Sequence, residues 1–503
     1  MKSLAWRPLL AIAAVHFLLH MVTAGNYGIF RDEYYYLACA RHLAWGYVDH
    51  PPLSIAVLAL ARAILGEGLI ALRLVPALCG AGLIVLSGSI AASMGGGRFA
   101  QALAGLSMAI PGVVQVITGS YSMNALDLVF WTLAWMTLVA WINSRRPRSW
   151  ILLGLTMGVG LMNKVGLLIM GAALAVSLLA TAHRRVLATR GPYIAGAIAG
   201  VIFLPHLVWQ MVHGWPTLEF IETAQRYKIT AMSPAAFLVE VVMEQHPANL
   251  LIWVLGLGWL LFTASGRHYR LLGLMFIVGM VLLMLQRAKP YYTAGLFPIL
   301  LAAGACAWES IARRPKLGWL RPVLLIVLLA NGLFSLPMGV PVLPIETYAR
   351  FQEWTGIAPA AQEVGHTHQL PQHYSDRFGW KELVEKVSDA AADLPPAERE
   401  DLFVLARNYG QAGALEYWSR DRAVPPVFSG HNNYYFWLPE QRPIGTVIVV
   451  GWSEEEVRGA FNDVTLVGSI TNRWAQEGGT PIWIARDPTL EWKVVRERIR
   501  GFS

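Results

Sequence analysis

Apolar stretches long enough to cross a bilayer, about 17 to 25 residues each, recur through the first 340 residues of this 503-residue chain. Eleven can be read, near 8–25, 70–93, 99–117, 126–143, 150–163, 165–182, 191–211, 247–264, 270–287, 291–311 and 321–338. In hydrocarbon every backbone polar group has to be bonded within its own segment, so these runs predict membrane-spanning helices. The fifth and sixth meet at Asn163-Lys164 with almost no loop between them. The first follows Lys2 and Arg7 and is read as an uncleaved helix rather than a cleaved signal peptide.

A formal charge of +8 suggests a nucleic-acid partner only until the charges are placed along the chain. Residues 1–344 hold 24 Lys and Arg against 10 Asp and Glu, whereas residues 345–503 hold 16 against 22. The excess therefore belongs to the membrane region, where it sets orientation and calls for no nucleic acid. With the N-terminus inside, 15 of the 24 basic residues fall in cytoplasmic breaks, and eleven spans leave the C-terminal part outside. The same topology puts Asp32, Glu33, Asp49, Glu67, Asp127, Glu219, Glu222, Glu240 and Glu244 at or beyond the outer face, with Glu309 alone near the inner one. Acids contribute little to orientation, so their asymmetry points to a reaction site on the outer face.

The expected fold is an α-helical polytopic membrane protein with about eleven transmembrane helices over residues 1–340, followed by a soluble α/β domain over residues 341–503. Two outer segments, 26–69 and 212–246, are longer than a connection requires. The apolar spacing through Leu53, Val57, Leu60, Ala61 and Ile64 predicts amphipathic helices along the interface. Beyond Pro337, Pro341 and Pro344, helical patterns near 380–392 and 409–419 alternate with strand-like runs at 402–405, 446–450, 464–467 and 481–485. This domain carries no phosphate loop, nucleophile elbow or metal spacing, and is expected to cover the membrane site or select an acceptor. Cys39, Cys79 and Cys306 are too widely spaced for a disulfide framework or a zinc motif.

The first outer segment reads Arg31-Asp32-Glu33-Tyr34-Tyr35-Tyr36 and then Gly46-Tyr47-Val48-Asp49-His50-Pro51-Pro52. Both pieces fit helix starts with acids in the first turn, and together, flanked by tyrosines, they also fit a site. Tyr121, Asn124 and Asp127 lead into the fourth span; an ionisable residue at that depth is costly and is a functional candidate by default. Lys164, and Arg287 and Lys289 before Tyr291-Tyr292, supply cations on the same face, where snorkelling anchors are the competing explanation.

The order of Asp-Glu with tyrosines, His-Pro-Pro-Leu, Met-Asn-Ala-Leu-Asp, Gly-Leu-Met-Asn-Lys and Lys-Pro-Tyr-Tyr-Thr-Ala-Gly-Leu-Phe-Pro resembles the family-39-like bacterial glycosyltransferases of the GT-C fold. These are relatives of protein O-mannosyltransferases and of lipid A aminoarabinose transferases. The resemblance implies transfer of a sugar from a polyprenyl-phosphate donor to a lipid, glycan or protein acceptor at the outer face of a bacterial cytoplasmic membrane. Asp32, Glu33 and Asp127 are then the catalytic candidates. Lys289, Lys164, His50 and Arg287 are candidates for the donor phosphate, and Tyr35, Tyr36, Asp49, Asn124, Tyr121, Tyr291 and Tyr292 for substrate. His50 stands where several relatives have Lys before Pro-Pro, which leaves Lys289 or Lys164 to supply that contact. No cofactor is firmly implied; Asp49 and His50 offer two ligands for a divalent metal, fewer than a site needs. A multi-span transporter or lipid flippase is the rival class, against which stand the absence of a visible repeat and the clustering of acids at one face.

Overall fold

The computed structural model describes residues 2–228, 232–357 and 369–503. Helix occupies each of the eleven apolar stretches. The order is α1 (Trp6–Val22), α2 (Arg31–Cys39), α3 (Leu53–Leu65), α4 (Leu69–Ser93), α5 (Arg98–Ala109), α6 (Gly112–Gly119), α7 (Met123–Ser144), α8 (Arg148–Leu161), α9 (Leu168–Leu179) and α10 (Gly191–Val212). Then follow α11 (Pro216–Thr223), α12 (Pro234–Glu244), α13 (Leu250–Phe262), α14 (Arg270–Leu285), α15 (Phe297–Ala312) and α16 (Leu320–Gly339).

Length and composition qualify six of the described helices as membrane spans, and up to nine when three bent pairs count as one span each, where the sequence reads eleven. The pairs bend by 66° between α5 and α6, by 109° after Leu179, and by 98° between α12 and the helix running from Pro247. Pro111 lies at the first break and Pro247 at the third, where a missing N–H ends the hydrogen-bond ladder. The two remaining apolar stretches, α1 and α8, hold 17 and 14 residues. At 1.5 Å per residue the shorter one covers about 21 Å of a hydrocarbon layer about 30 Å thick.

Beyond α16 come α17 (Ile345–Thr355), α18 (Gln372–Ser375), α19 (Trp380–Asp393), α20 (Pro396–Arg399), β1 (Phe403–Ala406), α21 (Tyr409–Trp418), β2 (Val427–Phe428), β3 (Val447–Val450), α22 (Glu454–Arg458), β4 (Phe461–Ser469), β5 (Pro481–Pro488) and α23 (Trp492–Arg498). The sheet order is β2-β1-β3-β5-β4. β1 runs parallel to β2 and β3, and β5 runs antiparallel to β3 and β4. Val447-Ile448-Val449-Val450 is buried at every position, as the central strand of a sheet covered on both faces requires. The four strand-like runs and both helical patterns all appear; β2 is an addition of two residues.

Segment 26–69 holds two helices of different character. α3 keeps an amphipathic face, with Ile55, Leu58 and Ala61 buried and Leu60 and Ile64 exposed. α2 is enclosed instead, every residue from Glu33 to Cys39 being buried between the membrane helices and the C-terminal region. Among the bonds that tie the parts together are Arg31 N–H to the Asp376 carbonyl at 3.0 Å, Asn26 Nδ2 to the Pro341 carbonyl at 2.7 Å, and Val48 N–H to Asn433 Oδ1 at 2.7 Å.

Candidate active site

A cavity of about 750 Å³ opens where these pieces meet. Its walls carry Asp32, Tyr35, Tyr36, Asp49, Asn124, Asp127, Lys164, Arg287, Lys289, Tyr291 and Tyr292, so eleven of the fourteen candidate residues come together from five separate segments.

One side is built around Lys164. Ser122 caps α7 by accepting from the Asn124 N–H at 3.2 Å. Asn124 and Asp127, three positions apart, then share one helix face. The chain breaks after α8, and Asn163 Nδ2 donates to the Met123 carbonyl at 2.8 Å, pinning the break to the start of α7. Lys164 is thereby delivered to that face: its Nζ donates to Asn124 Oδ1 at 2.7 Å and lies 3.8 Å from Asp127 Oδ2. The same ammonium sits 4.3 Å from the centre of the Tyr292 ring and 5.7 Å from that of Tyr291. The turn bearing those tyrosines is held by Trp135, whose indole N–H donates to the Gly295 carbonyl at 2.8 Å. Arg287, at φ 51°, reverses the chain after α14 and starts the approach to Lys289.

The other side is built around α2. The Glu33 N–H bonds the Phe30 carbonyl, and the Glu33 carboxylate accepts from the Phe30 N–H, each at 2.9 Å, which closes the helix start and turns Asp32 into the cavity. Asp32 Oδ1 accepts from the Tyr409 hydroxyl at 2.8 Å and lies 3.6 Å from Arg31 Nε. Deeper in, the Tyr35 hydroxyl donates to Asp49 Oδ1 at 2.9 Å. Burial, and then the Asp49 charge, hold that phenol well above its usual range, so it stays a donor.

Three candidates lie outside the cavity walls. Glu33 is fully buried, 2.8 Å from Arg73 Nη1, and accepts from the Tyr121 N–H at 2.7 Å. It closes the helix start and, unlike Asp32, does not line the cavity. Tyr121 spends its hydroxyl on the Ser54 carbonyl at 2.6 Å. His50 is wholly enclosed, stacked on Tyr36 at 4.8 Å, with Nδ1 3.1 Å from the Pro51 carbonyl. It does not line the cavity. Its Nε2 is 3.8 Å from Asp49 Oδ1, yet no group of three or more His, Cys, Asp or Glu able to hold a metal occurs among the described residues.

Residues outside the fourteen candidates also line the cavity, among them Arg31, Glu240, Glu244, His373 and Tyr409. His373 is held neutral, its pKa pushed down to about 4 chiefly by burial and then by Arg377. Tyr409 carried a local signal, the helix start at Asn408 with Gln411 three residues on. Its partner lies 377 positions away, which no local pattern encodes.

Residues 49–209 match the family of dolichyl-phosphate-mannose-protein mannosyltransferases. No curated protein sequence matches the chain. In structure it is similar to ArnT from Cupriavidus metallidurans in the apo state, with a TM-score of 0.61 at 15% identity over 94% of this chain and 97% of that one. The same protein bound to undecaprenyl phosphate gives 0.60 at 14%, with the same coverage. The oligosaccharyltransferase of Archaeoglobus fulgidus gives 0.53 at 12%, over 83% of this chain and 63% of that one. The chain thus shares the fold of ArnT over nearly its whole length, and residues 49–209 resemble the mannosyltransferase family.

Proposed function

We propose that this protein moves a sugar from a polyprenyl-phosphate donor to a lipid, glycan or protein acceptor at the outer face of the cytoplasmic membrane. The N-terminus lies inside and residues 341–503 form a periplasmic domain. One observation carries the reading: Lys164, tied to Asn124 and Asp127 and set over Tyr292, shares a cavity with Lys289 and with the carboxylate of Asp32. The likeness to an undecaprenyl-phosphate-bound ArnT supports it.

In the transfer, the bond from the anomeric carbon to the phosphate oxygen breaks and the acceptor oxygen bonds to that carbon. Positive charge grows on the sugar and negative charge on the departing polyprenyl phosphate, as in other glycosyl transfers. Lys164 and Lys289 hold the phosphate, their charges counting for more in a water-poor site. Asp32 takes the proton of an acceptor hydroxyl, a role typically worth about 10²–10⁴-fold. An acceptor that is itself a phosphate arrives ionised, and Asp32 then orients it. Asp127 sets the position of Lys164 beneath the phosphate.

The test is incubation of the purified protein with a panel of polyprenyl-phosphate sugars and membrane lipids, read by mass spectrometry. A glycosylated acceptor together with free polyprenyl phosphate is the expected outcome. Consumption of no donor in the panel would overturn the reading in favour of a transporter or flippase.

A further inference from the structure

We propose that Tyr409 of α21 is a positioning residue for Asp32, so that the C-terminal α/β region completes the reaction site instead of only covering it. The proposal rests on the reading of Asp32 as the group that handles the acceptor.

A carboxylate turns readily about its last side-chain bond, and a group that must meet a nucleophile needs that rotation stopped. Among the described residues, the contacts to Asp32 fall on one oxygen. Oδ1 accepts from the Tyr409 hydroxyl at 2.8 Å and lies 3.6 Å from Arg31 Nε, which leaves Oδ2 for the acceptor. A hydrogen bond to an ionised group is the strong kind and fixes direction as well as distance.

Tyr409 is itself held fast. Its ring lies 4.8 Å from that of Tyr35 and 4.8 Å from that of His431, with the Arg31 guanidinium 5.7 Å from its centre. The helix that carries it starts on a reciprocal cap, the Gln411 N–H bonding Asn408 Oδ1 at 2.9 Å and the Asn408 N–H bonding Gln411 Oε1 at 3.4 Å. α21 reaches α2 this closely because Gly410 and Gly413 lie on one face. A Cβ at Gly410 would fall 2.4 Å from Arg31 Cγ, and one at Gly413 would fall 2.8 Å from Tyr34 Cβ. The small residues thus bring a hydroxyl from the soluble region to the carboxylate of the membrane region.

The same helix supplies a matched control. The Tyr417 hydroxyl donates to the Glu67 carbonyl at 3.1 Å, a second bond from α21 to the first outer segment, outside the cavity walls. The experiment compares full-length Tyr409→Phe, Tyr417→Phe and Asp32→Asn proteins, using the undecaprenyl-phosphate sugar that wild type turns over and mass-spectrometric detection of product. Tyr409→Phe is expected to lower kcat about tenfold to a hundredfold, the scale of a slightly misplaced reacting group, with donor KM and unfolding temperature unchanged. Tyr417→Phe is expected to keep wild-type kcat. Wild-type kcat in Tyr409→Phe, equal losses in both tyrosine variants, or a loss that tracks a lowered unfolding temperature would each overturn the positioning role. Wild-type turnover in Asp32→Asn would instead overturn the reading of Asp32 on which the proposal rests.

Discussion

Asp32 and Glu33 are neighbours with the same chemistry, and the fold gives them opposite duties. Successive helix residues point about 100° apart, so one carboxylate enters the cavity while the other turns toward Arg73, which lies on α4 and is itself buried. Asp32→Asn is expected to abolish transfer while unfolding at the wild-type temperature. Glu33→Gln leaves the Arg73 guanidinium buried without its counter-charge and is expected to cost about 3–5 kcal/mol of stability, read as a large fall in unfolding temperature in detergent. The Asp-Glu pair stood out in the sequence; which member faces the cavity was not legible, because Arg73 enters from 40 residues away. His50 teaches the same lesson. Its sequence neighbours suggest a phosphate contact, but Tyr35, Tyr36 and Tyr47 enclose its ring.

At the scale of elements, the site is assembled from helix starts and helix breaks: the start of α2, the start of α7, the break after α8 and the turn between α14 and α15. Backbone groups are left over at such points, and side chains there reach a cavity without interrupting a buried helix. The turn 290–296 depends on a close approach, since a Cβ at Gly295 would fall 2.5 Å from the indole of Trp131, a cavity-lining residue. Gly295→Val is therefore expected to push the Tyr291-Tyr292 turn off α7 and away from Lys164. Overpacking of this kind costs about 1–3 kcal/mol, and the measurement is a raised donor KM with a smaller change in kcat; an unaltered donor KM would detach the turn from donor binding. Three of the eleven apolar runs pass as spans only when a bent pair counts as one, since hydropathy averaged along a run does not register a bend of 66° or 109° within or just beyond it, and two more, α1 and α8, are short.

Over the whole molecule, a positively fringed membrane region and an acidic C-terminal region meet at one face, with α2 wedged between them. The proposed orientation has a direct test. Cys39 and Cys79 are buried and Cys306 partly so, and Arg185 and Lys493 are exposed. In intact spheroplasts, Lys493→Cys is expected to react with a membrane-impermeant maleimide and Arg185→Cys only after permeabilisation. The reverse pattern would invert the topology and move the reaction to the cytoplasmic side.

Taken alone, the sequence determined the helical membrane class, the α/β character of the last 160 residues and the segments from which the site is drawn. Each of those follows from local quantities: the length of an apolar run, its period, and the sign of charge at its ends. Only the tertiary structure decided which acid faces the cavity, that Lys164 is the cation set between Asn124, Asp127 and Tyr292, and that Tyr409 reaches Asp32 across 377 positions. Those choices depend on which helix faces pack together, a property of pairs of distant segments that local patterning does not carry.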